Sequence, residues 1–180
     1  MAILPHYVIS VPSGGAAVAE TAPVAESAST APAAAAPASG GAKTVLVVGG
    51  GPAGLSAAYY LALMGHAPTI YEQRAHLGGM LRYGIPSYRL PRERLDEEIQ
   101  WLLDCGIEVK MNESIDAAGL EQLRKDYDAV YLAIGAHSDR KVGLEGEDAE
   151  GVMSAVEMLR SIGDDEKPDF TGQRIVVIGG

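Results

Sequence analysis

A doubly wound α/β fold on a parallel sheet is predicted for this 180-residue sequence, on three observations. Strand-like runs alternate with helical segments from Thr44 onward. The first run, TVLVV, is short, β-branched and continuously apolar, as a strand covered on both faces must be. It ends in a row of glycines that leads directly into a helical segment. Alternation of this kind requires crossover helices and a parallel sheet.

Residues 1–43 stand outside the pattern. VPSGGAAVAETAPVAESASTAPAAAAPASGGAK is almost wholly Ala, Pro, Ser, Gly, Thr, Val and Glu, without an aromatic residue. Such a stretch cannot offset the entropy of ordering itself, so a disordered, moderately extended Ala/Pro linker is predicted. After strand TVLVV, Pro52 opens a helix at a position where a missing N–H does no harm, and Gly65 stops it after Met64. TIYE is a second strand, with Pro68 tolerable only at its start. An irregular stretch follows, and Pro91 then opens a second helix with Leu95, Ile99, Leu102 and Leu103 on one face, ended by Gly106. IEVKM is a third strand, DAAGLEQLRKDY a weaker helix and AVYLAIG a fourth strand. GVMSAVEMLRSI is another helix, and RIVVIGG is predicted as a last strand. The expected organisation is a flexible segment at 1–43, the first part of one domain at 44–136, a connecting segment at 137–172 and the start of another domain at 173–180.

The net charge of −10 argues against nucleic acid or an anionic membrane as partner, since both reward basic patches. An acidic, soluble, cytoplasmic protein is expected. MAILPHYVIS has no basic n-region and its apolar run is broken by Pro5 and His6, unlike a signal peptide. Nothing approaches the length of a membrane span. The single cysteine, Cys105, rules out an intrachain disulfide, a Cys-x-x-Cys pair and a cysteine-ligated iron–sulfur cluster held by this chain alone. It reads as a small, partly buried apolar residue.

Gly49, Gly51 and Gly54 form G-x-G-x-x-G, a pattern of little weight alone. Here it follows a strand, opens a helix and has Glu72 at the end of the next strand, about twenty residues on. Gly49 permits a tight turn, Gly51 lets backbone approach a pyrophosphate, and Gly54 lets helix pack on strand, helped by Ala57 and Ala58. The helix N-terminus offers unpaired N–H groups to phosphate, and Glu72 can accept from both ribose hydroxyls of an adenosine. A dinucleotide-binding, Rossmann-like turn is therefore expected. The fingerprint alone leaves NAD and FAD open. RAHLGGMLRYGIPSYRLP, residues 74–91, is far longer than an ordinary strand-to-helix loop, and its Gly78–Gly79 pair allows a second close approach to the same phosphates. That favours the longer cofactor, FAD, over a plain surface excursion.

GGGPAGLSAAYYLALMGH, YEQRAHLGGMLRYGIPSYRLP, YDAVYLAIGA and LEGEDAEGV together resemble the glutamate synthase small-subunit family. That family includes the flavin half of dihydropyrimidine dehydrogenase and the large subunit of ferredoxin-dependent transhydrogenases. The resemblance runs from Thr44 to Gly180, and G-G-x-x-x-x-G-I-P-x-x-R-L-P is its most specific part. It implies an FAD domain with an inserted NAD(P)H domain, hydride passing from NAD(P)H to flavin, and electrons passing on to an iron–sulfur or other acceptor in a partner subunit or domain. Carried onto matching positions, Gly50, Gly51, Pro52, Ala53 and Gly54 would cradle the pyrophosphate, and Glu72 would hold the ribose. Gly78, Gly79 and Met80 would line the flavin side, Arg89 would reach the cofactor, Ile115 would touch adenine, and Gly135 would let a strand end approach it again. Ile134 stands where many flavoenzymes carry threonine, so a hydroxyl contact is absent there. For Arg89 a solvated arginine before a helix is the competing reading, and His76 and His137 read as surface residues.

MLRYGIPSY holds no redox cysteine pair, so electrons cannot leave through a dithiol of this segment. GQRIVVIGG resembles the opening of a second dinucleotide fingerprint, without its third glycine, helix or ribose-reading residue. The expectation is an N-terminal fragment of a longer flavoprotein that alone binds FAD weakly or not at all and does not turn over. Two readings compete with it: a non-catalytic dinucleotide-binding or scaffold module, and a plain NAD-dependent dehydrogenase.

Overall fold

The computed structural model describes residues 41–179. The expected disorder of the Ala/Pro segment falls mostly on residues 1–40, outside the described residues. Four strands, β1 (Thr44–Val48), β2 (Ala67–Glu72), β3 (Glu108–Met111) and β4 (Ala129–Leu132), form one parallel sheet in the order β3-β2-β1-β4. The helices are α1 (Pro52–Leu63), α2 (Met80–Tyr83), α3 (Arg92–Leu103), α4 (Ala117–Leu123) and α5 (Ala155–Gly163). The predicted α/β class and Rossmann-like winding are what the chain adopts.

Strand parity explains the core. Val45, Val47, Ile70, Val109 and Met111 share one face and pack with Leu55, Ala58, Ala62, Leu95 and Ile99 from α1 and α3. Leu102 and Leu103 join that core half-buried. Val47, Ile70 and Ala58 are fully buried, and a valine or isoleucine side chain so placed contributes about 1.5–3 kcal/mol. The alternate positions are more polar: Thr69 donates to Glu108 at 3.3 Å, and Lys110 donates to the Tyr71 hydroxyl at 2.9 Å. That bond holds the Lys110 ammonium above its ordinary pKa.

Pro68 is the second residue of β2, paired with Val45. Ala67 donates to Lys43, so by alternation the Pro68 nitrogen faces β3, which pairs only from Thr69 onward. The stretch expected to be irregular contains α2, a single turn between Gly79 and Gly84. The connecting segment contains α5, capped by Ser154 accepting from the Glu157 amide at 3.2 Å. Gly163 at its end is packed so tightly that a Cβ would lie 2.7 Å from the Tyr83 ring. β4 is an exposed edge: Tyr131 and Leu132 are 43% and 57% accessible.

The described residues from Asp169 onward belong to a unit of their own. In them Thr171 donates from its hydroxyl and amide to Asp169, which holds that carboxyl below its usual pKa. The strand expected in RIVVIGG is not formed: residues 173–179 have no regular secondary structure, and Val176 and Val177 are over 80% exposed. A strand exists only with a hydrogen-bonded neighbour, and no described residue of that group supplies one. Among the described residues no helix is long and apolar enough to cross a membrane.

Candidate cofactor-binding site

The glycine turn follows β1 at the C-terminal end of the sheet, where ligands of open α/β sheets bind. Three of its four glycines are required by the protein's own packing. Gly49 has φ +106°, and a Cβ there would strike the Ala133 carbonyl after β4. A Cβ on Gly50 would collide with Leu77, and one on Gly54 with the Gly49 carbonyl oxygen. Gly51 differs. Its φ of −80° and ψ of −175° suit any residue, and its nearest neighbour to a Cβ is the Gly79 Cα at 3.7 Å, an ordinary contact. Nothing within the described protein requires glycine at position 51.

Gly51 is also the N-cap of α1, with Pro52 as first helical residue, no side-chain cap and no acidic residue in the first turn. The first-turn amides of such a helix lack partners in the preceding turn and carry the positive end of its dipole. A second glycine turn meets this one. Gly78, at φ +110°, donates its N–H to the Gly50 carbonyl at 2.8 Å. Gly79, at φ +51°, lies so near that its Cβ would be 2.7 Å from the Gly51 Cα.

Glu72 is buried beneath both turns at 7% exposure. Its Oε2 accepts from the Gly50 amide at 2.8 Å and its Oε1 from the Arg74 amide at 2.9 Å. Each oxygen keeps a second acceptor position for a ribose hydroxyl. The loop after β3 begins beside it, since Glu113 donates to the Glu72 carbonyl and Asn112, at φ +60°, to that of Arg74.

The structure thus brings Gly49, Gly50, Gly51, Pro52, Ala53, Gly54, Glu72, Gly78 and Gly79 into one cluster. Gly135, at φ +69°, lies just beyond the Ala133 carbonyl that meets Gly49. Met80 is exposed and turns its methyl toward Gly84. Arg89 is exposed and forms no ion pair among the described residues. Ile115 is half-buried in the β3–α4 loop, against Gly119. No hydrogen bond or ion pair joins these last three side chains to the glycine cluster among the described residues. The cluster fits a pyrophosphate with an adjoining ribose: bare amides, a buried carboxylate, and a glycine whose missing side chain leaves room for a ligand.

Sequence reasoning missed several residues here. Leu77 fills the space beside Gly50. The Arg74 guanidinium sits 4.7 Å from the Tyr83 ring centroid and 3.4 Å from Asp164 of the α5 cap. Tyr83 is buried and donates to the His76 carbonyl; burial, then Asp164, raises its pKa. His76 is exposed as expected, but His137 is not a plain surface residue. It is half-buried, its ring 3.3 Å from a Cβ built on Gly135, and its carbonyl accepts from Arg160 of α5. Only the unusual length of residues 74–91 hinted at this packing.

Comparison with known proteins places this geometry. Residues 43–180 match the family described as pyridine nucleotide-disulphide oxidoreductase. The chain is 43% identical over 141 residues to the NADP(+)-dependent formate dehydrogenase subunit beta of Moorella thermoacetica, covering 77% of this chain and 20% of that protein. It is 38% identical over 152 residues to the glutamate synthase [NADPH] small chain of Mycobacterium tuberculosis, covering 77% and 31%. Among solved structures, Mycobacterium tuberculosis FprA in complex with NADPH superposes with a TM-score of 0.62 at 22% identity, over 73% of this chain and 32% of that one. The chain therefore spans less than a third of the length of these proteins.

Proposed function

Because the chain belongs to the pyridine nucleotide-disulphide oxidoreductase family, we propose that it forms the FAD-holding part of an NAD(P)H oxidoreductase subunit. In this reading electrons pass from NAD(P)H through FAD to an iron–sulfur or other acceptor carried by a partner subunit or domain. The observation that carries it is Gly51, a helix N-cap whose glycine no neighbour within the described protein demands. The two relatives, an NADP(+)-dependent dehydrogenase subunit and the small chain of an NADPH glutamate synthase, support the donor and the partner.

FAD, when bound, would take a hydride from NAD(P)H and release its electrons singly. The chain's own residues do the holding. The turn from Gly50 to Gly54 presents the amides of Gly51, Ala53 and Gly54 and the α1 dipole to the two phosphates, the Gly50 N–H being held by Glu72 and Pro52 having none. Glu72, already fixed by two backbone N–H groups, orients the ribose through its free lone pairs. Gly78 and Gly79 bring a second stretch of backbone to the same phosphates, with Met80 toward the flavin. Arg89 has no competing partner among the described residues and supplies a cation to the phosphates or to the reduced ring. Ile115 covers the adenine, and Gly135 lets the chain after β4 pass close to the cofactor.

The test is FAD titration of the natural gene product, followed by flavin fluorescence. Saturable quenching relieved by ADP supports the reading; no quenching, or retention of a colourless nucleotide instead, sinks it. Glu72→Gln should weaken FAD binding about tenfold, because one carboxylate oxygen becomes a donor that cannot accept from ribose. Undiminished affinity in that variant would remove Glu72 from the site.

A further inference from the structure

We propose that Arg82 is a positioning residue for the pyrophosphate cradle, bracing the second glycine turn on α3 and thereby holding it against the first. The proposal rests on the dinucleotide reading above.

Arg82 is 6% exposed, and none of the roles assigned so far uses it. A buried guanidinium is costly unless paired and hydrogen-bonded. Its Nε donates to the Leu77 carbonyl at 3.0 Å, and its Nη2 pairs with Asp96 on α3. Leu77 is the residue before Gly78, and its side chain fills the space beside Gly50. Gly78 in turn donates to the Gly50 carbonyl, and Gly79 lies against Gly51. A continuous chain of contacts therefore runs from Asp96 through Arg82 and Leu77 to both glycine turns.

The bracing is needed because α2 is four residues long and cannot hold itself. Arg92 adds a second staple from α3, donating to the Leu81 carbonyl at 3.2 Å. Arg92 also repels Arg82 and, after burial, lowers its pKa. Two arginines of like charge thus hold carbonyls on either side of the Gly78–Gly79 pair. Both act through backbone oxygen, so neither needs to touch the ligand.

A merely structural ion pair would affect every ligand alike, whereas a brace on the phosphate cradle acts only on ligands that carry the diphosphate. The experiment compares adenosine, ADP and FAD as probes on the natural gene product, by calorimetry and ligand-observed NMR. Amide hydrogen exchange at Gly78 is read in parallel without ligand. Arg82→Met should bind ADP and FAD about tenfold more weakly and adenosine within about twofold of the parent, with faster exchange at Gly78 and unchanged exchange in β1. Arg82→Lys should recover part of the loss, because an ammonium can serve Asp96 or Leu77 but lacks the fork to reach both. ADP affinity within about twofold of the parent in Arg82→Met overturns the proposal, as does equal loss of adenosine and ADP. If Arg82→Met does not fold, Asp96→Asn decides: about threefold weaker ADP binding with adenosine unchanged supports the brace, and unchanged ADP binding overturns it. Should the parent protein bind neither ADP nor FAD, the dinucleotide reading falls. The brace then stands only if Gly78 exchange still quickens in the variant.

Discussion

Gly54→Ala is expected to destabilise the domain by about 3 kcal/mol, a fall in Tm of about 10 °C. Any Cβ at this position collides with the Gly49 carbonyl oxygen and lies 3.3 Å from the Val47 side chain. Overpacking is cheap only where a neighbour can give, and here the neighbour is backbone. Gly49 is held by its N–H to the Tyr71 carbonyl at 2.8 Å, and it already touches the Ala133 carbonyl on its other side. Moving it would disturb β1, β2 and the end of β4 together. Gly106→Ala is the control: its φ of +90° makes it strained, but nothing lies within 4 Å of the added methyl. It should cost about 1 kcal/mol. Thermal melts of both variants decide the matter: Gly54 lies in α1 without a positive φ, so a shift no larger than that of Gly106→Ala would mean that the close approach of α1 to β1 does not demand glycine there.

The same contacts show which features were legible in sequence. TVLVV, the glycine row and Pro52 announce a strand, a turn and a helix through local chemistry, and the fold follows them from residue to residue. Glu72 could be placed by its spacing, yet its ligand-free work of accepting the Gly50 and Arg74 amides depends on a pairing no spacing reveals. The α2 turn is too short to show periodicity, and its position is set by Asp96, Arg92 and Gly163 from elsewhere in the chain. His137 and Arg74 likewise gain partners at α5, which for Arg74 lies 90 residues away in sequence. AVYL was readable as a strand, but its exposure was not, because cover is a property of neighbours. RIVVI shows the limit from the other side: β-branched composition marks what can be a strand, and a partner edge makes it one.

Gly51→Ala is expected to weaken FAD binding about a hundredfold while leaving the Tm of the ligand-free protein unchanged within about 1 °C. The fold has room for the methyl, since among the described residues the one neighbour within 4 Å lies at 3.7 Å and the backbone angles are ordinary. A ligand phosphate does not have that room. To accept from the first-turn amides of α1 its oxygens must come to within about 3 Å of this backbone, and a Cβ on the N-cap holds them off. Losing one or two charge-assisted hydrogen bonds, each of about 1.5–3 kcal/mol, gives the stated factor. Gly50→Ala supplies the contrast, because its methyl meets Leu77 and Glu72, so that stability and affinity should fall together. The pair separates the two reasons for glycine in one turn. If Gly51→Ala lowers the Tm as Gly50→Ala does, the glycine serves packing and the ligand argument fails. If it changes neither quantity, the phosphates do not lie at this turn. Loss of affinity without loss of stability leaves one explanation: the space at Gly51 is kept for an atom that the protein itself does not supply.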